Sequence, residues 1–285
     1  MKHTIIIFGA DGQLGADLAK IFSHSHEVIS CVRSDVDITN EKSVLRAVTA
    51  HAPSLVINCA AFTKVDENET KAAESFSVNA IGALYVSRAT ASFGVPAMLI
   101  STDYIFDGSK ESFSETDSPH PLNVYGASKY AGELLTSLAN PKTYIVRTSA
   151  LFGAHASAKG YNFVTKMLDL AKTGDPIQVV NDQYTCPTYT VDLAGKIHEL
   201  VTRAVPPGIY HITNQESCSW YAFALEIFKQ THKNPTIIPI TTEQLPNRIR
   251  RPLHSVLENK ALRDNGIALL PHWQDALSRY LQEIA

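Results

Sequence analysis

Cysteine is scarce in this 285-residue chain, and what there is lies far apart: Cys31, Cys59, Cys186 and Cys218 form no CxxC pair and no cysteine-histidine cluster at metal-ligand spacing. Such spacing builds neither a disulfide framework nor a metal site, so the four read as buried free thiols. Long apolar runs are missing too. Thr4–Phe8, the only early one, is too short for the core of a signal peptide and leads into a glycine-rich turn. Nothing later approaches a membrane span, so the expected compartment is the cytoplasm, with no membrane partner. An excess of one charge is also absent. A formal net charge of −3 gives no field to recruit nucleic acid, and an anionic substrate must be held by local groups. Internal repeats, low-complexity tracts and long linkers do not occur. These absences leave a globular chain suited to a small-molecule ligand.

What is there is alternation. Short β-branched runs at Thr4–Phe8, Glu27–Val32, Leu55–Cys59, Ala97–Ser101 and Tyr144–Thr148 read as strands. Helical patterns at Leu14–Ser23, Lys42–His51, Ala72–Phe93 and Val124–Ala139 separate them, closed by stop signals such as Gly94-Val95-Pro96 and Asn140-Pro141. This order predicts an α/β fold, a Rossmann-type doubly wound parallel sheet covered on both faces. After Arg147 the regularity fades. Gly153–Tyr161 reads as a crossing loop, Asn162–Lys172 as a helix and Gly208–Thr213 as a strand able to rejoin the sheet. The tail holds a helix at Trp220–Thr231, a proline-punctuated stretch at Pro235–Pro252 and a last helix at Trp273–Glu283. The expected division is a dinucleotide-binding domain over 1–150, rejoined by 186–214, and a smaller α+β substrate lobe drawn mainly from 151–285.

Gly9-Ala-Asp-Gly12-Gln-Leu-Gly15 follows the first strand and opens the first helix. That is the context in which glycines let the backbone approach a pyrophosphate and a helix N-terminus offers free N–H donors. The GxxGxxG spacing resembles the short-chain dehydrogenase/reductase superfamily more than the GxGxxG fingerprint. An acidic residue ending the second strand would grip the ribose hydroxyls of NAD; here that strand ends Cys31-Val32-Arg33-Ser34. Arg33 favours a 2′-phosphate, hence NADPH. Asp35 and Asp37 nearby keep NADH open as an alternative, and Asp37-Ile38 are candidates to flank the adenine.

Tyr125 and Lys129 stand four apart near the start of a helix, so their side chains share one face. A cation so placed is expected to lower the phenol pKa and make the tyrosine a usable general acid. Alone the pair would be an ordinary helix surface. With Thr102, at the carboxyl end of the fourth strand, and the glycine turn, it has the order of the Ser/Thr-Tyr-Lys triad of short-chain dehydrogenases.

Four segments carry a closer resemblance: Asn58–Asp66, Ser101–Gly108, Tyr125–Glu133 and Arg147-Thr148-Ser149. They look like the dTDP-4-dehydrorhamnose reductase family, and the match runs from Gly9 to the final helix. The resemblance implies that Gly12, Gln13 and Leu14 line the pyrophosphate, that Ala61, Phe62 and Thr63 pass along the cofactor, and that Thr102 and Asp103 touch the sugar. It implies hydride transfer to the C4 ketone of a nucleotide-linked 4-keto-6-deoxy sugar, with Tyr125 giving the proton and Lys129 also anchoring the nicotinamide ribose.

Two positions depart from the family pattern. Ala150 stands in the substrate pocket where a tryptophan is usual, and Thr185, in Asp182–Thr188, where glycine is usual, so that either a different backbone angle or a different ligand is expected there. Phe152, Tyr184 and Tyr189 are candidates for the missing ring. A 4,6-dehydratase is disfavoured because Tyr104, not a second carboxylate, follows Asp103. A sugar-nucleotide epimerase and a non-catalytic subunit similar to the β subunit of methionine adenosyltransferase remain the alternatives. The sequence leaves the oligomeric state open, a homodimer included.

Overall fold

The β-branched runs become strands and the polar-apolar stretches become the helices that cover them. In the computed structural model, which describes residues 3–155, 160–245 and 249–285, the first half runs β1 (Thr4–Phe8), α1 (Gln13–Ser23), β2 (Glu27–Cys31), α2 (Glu41–His51), β3 (Leu55–Asn58), α3 (Val65–Thr70), α4 (Ala72–Phe76), a π-helical segment (Ser77–Gly82), α5 (Ala83–Ser92), β4 (Ala97–Thr102), α6 (Val124–Ala139) and β5 (Thr143–Thr148). The second half adds β6 (Leu151–Phe152), α7 (Phe163–Leu170), β7 (Ile177–Val180), β8 (Tyr184–Thr185), β9 (Thr188–Tyr189), α8 (Thr190–Thr202), β10 (Ile209–His211), β11 (Cys218–Ser219), α9 (Trp220–Gln230), β12 (Ile237–Ile240), α10 (Lys260–Asp264) and α11 (Trp273–Glu283). Residues 156–159 of the expected crossing loop and 246–248 of the proline-punctuated stretch lie outside the described residues.

The main sheet has the order β10-β5-β4-β3-β1-β2, and every pairing in it is parallel. Side chains alternate across it: Ile5 and Ile7 join Leu14, Leu18 and Phe22 of α1, whereas Ile6 and Phe8 join Val44 and Val48 of α2 and Val86 of α5. Burial on both faces is why the inner strands β1, β3 and β4 read as largely apolar runs, whereas the edge strand β2 keeps Glu27 and Ser30 exposed. The order reverses between β1 and β3, and an open α/β sheet takes its ligand at the carboxyl ends of the strands at such a point.

Four differences from the sequence reading have local causes. Helix α8 was not anticipated, because Gly195 and the β-branched Thr190-Val191 blur its pattern. Burial of Leu193, Ile197 and Leu200 against the α1 side of the sheet decides it, at about 1.5–3 kcal/mol per side chain. The short α3 was not anticipated either. The helix expected over Ala72–Phe93 is broken by its π-helical segment. Finally, the proline-punctuated stretch holds a strand: β12 pairs with β7 in a two-stranded sheet, where Pro239 opposite Val179 is tolerated at an edge. A separate core of Phe152, Val164, Met167, Phe223, Ile227, Trp273, Leu277 and Tyr280 knits α7, α9 and α11 together. Among the described residues no helix is long and apolar enough to cross a membrane.

Candidate active site

At the carboxyl end of β1 the chain makes a turn that only glycine fits. Gly9 has φ +73°, and a Cβ there would lie 2.7 Å from Ala60 N; a Cβ on Gly15 would lie 2.1 Å from Gly9 O. Helix α1 begins at once, and its N-cap, Gly12, places no side chain over the first N–H groups. The cradle therefore presents backbone donors and the positive end of a helix dipole, which suits a pyrophosphate. The neighbouring side chains are spent on protein: Gln13 Nε2 donates to Gly153 O at 3.1 Å, and Leu14 is core. Beyond β2, Asp35 accepts from Val32 N, Asp37 accepts from Thr39 N and Oγ1, and Ile38 packs in the core against Gly82. Arg33 is exposed there. That leaves a cation at the strand end, as a 2′-phosphate would require.

Ala61, Phe62 and Thr63, half-buried beyond β3, are fixed by a residue that sequence reasoning missed. Asn79, in the π-helical segment, accepts from Phe62 N at 2.8 Å and donates to Phe62 O at 3.1 Å and to Ser128 Oγ at 2.9 Å. Asn68 donates to the Phe62 and Lys64 carbonyls and accepts from Ser75, which lies 2.9 Å from Ser128. Ser128 is on α6, between Tyr125 and Lys129. A Cβ on Gly132 of the same helix would sit 2.2 Å from Asn79 O, so α6 meets the π segment at backbone contact. The π turn thus aims one asparagine at two functional segments. Its only trace in the sequence is the polar Asn79 within an apolar helical run.

Helix α6 is capped by Asn123, whose side chain accepts from Gly126 N. Tyr125 keeps part of its ring open, in edge contact with Tyr104, while its hydroxyl lies deep. Lys129 is buried and donates to Ile100 O at 2.6 Å. Thr102, ending β4, donates to Asp103 Oδ1 at 3.0 Å and accepts from Tyr104 N. Thr102 and Tyr125 therefore come together at the end of β4, and Lys129 reaches the same strand two residues earlier, at Ile100. The expectation that Lys129 lowers the phenol pKa does not hold. Burial pushes the Tyr125 hydroxyl well up, Asp103 and Tyr104 add to the rise, and a hydrogen bond with Thr102 only partly offsets it. Burial in turn brings Lys129 down to about 8, because the Ile100 carbonyl is a weaker host for an ammonium than water.

On the far side of Thr102, the buried Asp103 carboxyl also accepts from Ser149 Oγ at 2.9 Å, and Thr185 Oγ1 lies 2.5 Å from Ser149 Oγ. Burial raises Asp103 to about 6 against the hydrogen bonds of Ser255, Ser149 and Thr102. Thr185 sits in extended β8 and needs no special backbone angle; the positive φ, 44°, belongs to Ala150. Phe152 and Tyr189 stack in the second core. Tyr184 is the exposed ring of the three candidates, stacked on His254 with centroids 5.1 Å apart. Among the described residues no group of three histidine, cysteine, aspartate or glutamate side chains is placed to hold a metal ion.

Known proteins share this architecture along its whole length. The model of the family described as RmlD substrate binding domain matches residues 1–285. The chain is 39% identical over 281 residues to the spore coat polysaccharide biosynthesis protein SpsK of Bacillus subtilis (strain 168), covering 98% of this chain and 97% of that protein. It is 38% identical over 287 residues to a dTDP-4-dehydrorhamnose reductase of Aggregatibacter actinomycetemcomitans, covering 96% of each. The crystal structure of dTDP-4-dehydrorhamnose reductase from Bacillus anthracis str. Ames in complex with NADP superposes with a TM-score of 0.95 at 38% identity, over 99% of this chain and 100% of that one. With a family match from end to end and relatives covered almost completely, the chain belongs to the dTDP-4-dehydrorhamnose reductase family.

Proposed function

We propose that this chain is an NAD(P)H-dependent oxidoreductase that reduces the C4 ketone of a dTDP-linked 4-keto-6-deoxy sugar, with NADPH preferred and Tyr125 as the proton donor. The observation that carries the reading is the approach of Tyr125 to Thr102 at the end of β4, with Lys129 held on the same strand at Ile100, beside a glycine turn that leads straight into the open N-terminus of α1. Residues 1–150, with 186–214, form the cofactor side; 151–285 otherwise supply most of the sugar side.

In this mechanism the cofactor, when bound, supplies the hydride. The N–H groups that open α1, at Gln13 and Leu14, would hold its pyrophosphate and Arg33 its 2′-phosphate, while Asn79 would keep Ala61–Thr63 against it. Thr102 holds the ketone oxygen beside Tyr125. As that oxygen becomes an alkoxide, Tyr125 gives up its hydroxyl proton, and Lys129 is the residue that would anchor the nicotinamide ribose. A raised phenol pKa suits this role, since the group stays protonated until an alkoxide, the stronger base, forms. Asp103 and Ser149 orient the sugar hydroxyls. Ala150 and Thr185 bear on which sugar is accepted.

An assay of NADPH consumption against a panel of 4-keto-6-deoxy sugar nucleotides tests the reading. Turnover of the dTDP-linked ketone is expected; cofactor binding with no turnover of any ketone would overturn it.

A further inference from the structure

A second buried charge system lies behind Lys129. Glu133, one turn further along α6, shares its face, and both are nearly solvent-free. From β5, Arg147 grips Glu133 with Nε 3.0 Å from Oε1 and Nη2 2.7 Å from Oε2. From β10, His211 Nε2 stands 3.3 Å from Arg147 Nη1, with Nδ1 3.2 Å from Phe113 O. Burial and the guanidinium hold this imidazole down to about 3, so it is neutral and adds no charge.

The titratable groups acting on Lys129 are few. Cys59 faces it from the end of β3, but burial pushes that thiol up to about 12, so it too is uncharged. Asp103 and Tyr104, beyond β4, act on Tyr125. The carboxylate of Glu133 is left as the anion opposing the burial of the ammonium. Arg147 binds it through two donors, which fixes its orientation.

We propose that Glu133 is a positioning residue for the reduction: clamped by Arg147, its carboxylate is the counter-charge that keeps the buried Lys129 protonated beneath Tyr125. The proposal rests on the reductase reading above. A purely structural pair would change stability and leave the titration of activity alone. A counter-charge must move it.

The test is kcat against pH with saturating NADPH and dTDP-4-keto-6-deoxy sugar. The wild-type enzyme is expected to lose activity as pH rises through about 8, as Lys129 gives up its proton. Glu133→Gln is expected to move that limb down by about one pH unit or more, with activity converging on wild type toward acid pH. Glu133→Asp, which keeps the charge, is expected to keep the limb. The double variant Glu133→Gln/Arg147→Met removes the guanidinium that Glu133→Gln alone would leave unpaired and should retain the lowered limb. An unmoved limb in Glu133→Gln, or a wild-type limb in the double variant, overturns the proposal. If the wild-type enzyme turns over the ketone in the same assay, the reductase reading survives that loss; if it turns over no ketone, the reading itself fails.

Discussion

The two sides of the proposed site are built from different materials. The proposed cofactor side presents backbone: a glycine turn, a helix N-terminus and a loop pinned at its N–H and C=O groups by the Asn79 side chain. The proposed sugar side is side chain: Thr102, Ser149 and Ser255 converge on the buried Asp103 carboxyl, and Thr185 meets Ser149. Backbone sites constrain residue type, since a Cβ has nowhere to go. Side-chain sites can exchange groups while the fold stays the same, and it is there that Ala150 and Thr185 depart from the family pattern.

The largest effect expected from this contrast is at Gly15. Gly15→Val forces a side chain into Gly9 O and should cost about 3 kcal/mol of stability together with the cofactor site, read as a lowered Tm and a loss of NADPH binding by fluorescence titration. If cofactor affinity were kept, the backbone cradle would not be the binding device. Next comes Arg33→Ala, expected to weaken NADPH about tenfold while leaving NADH nearly unchanged. Equal losses for both cofactors would remove Arg33 from the 2′-phosphate.

A smaller effect is expected on the sugar side. Asp103, held up at about 6, should be ionised at neutral pH and gain its proton below that, so kcat/KM falls as pH drops through about 6. Ser149→Ala removes a hydrogen bond to the ionised form, and this acid limb should then move up by a fraction of a unit. Stability has its own sign. The native carboxyl binds its proton more tightly than the unfolded one, whose ordinary value is 3.8, so this group makes folding less favourable as pH rises from about 4 to about 6. An acid limb indifferent to Ser149 would detach Asp103 from the substrate step.

The same contrast governs what the sequence could reveal. The five strands of the first half appear within one residue of expectation, because each is a short β-branched or apolar stretch bounded by turn residues. The glycine turn was legible for the steric reason that makes it work. Thr102, Tyr125 and Lys129 were legible from spacing and strand-end position. Asn79 was not, because a π-helical turn has no residue signature of its own and redirects a side chain that helical periodicity would face elsewhere. The direction of the Tyr125 shift was missed for a similar reason. Spacing says that a lysine shares a helix face with the phenol; it does not say that the lysine donates to Ile100 O or how much water both groups lose.

The most direct test of the site is Tyr125→Phe, assayed by NADPH oxidation in the presence of dTDP-4-keto-6-deoxy sugar, with cofactor affinity measured alongside. Removing one hydroxyl from an otherwise intact ring is expected to lower kcat by about 10²–10⁴-fold and to leave NADPH binding within a few-fold of wild type. Wild-type turnover in Tyr125→Phe would contradict a proton delivered from this residue.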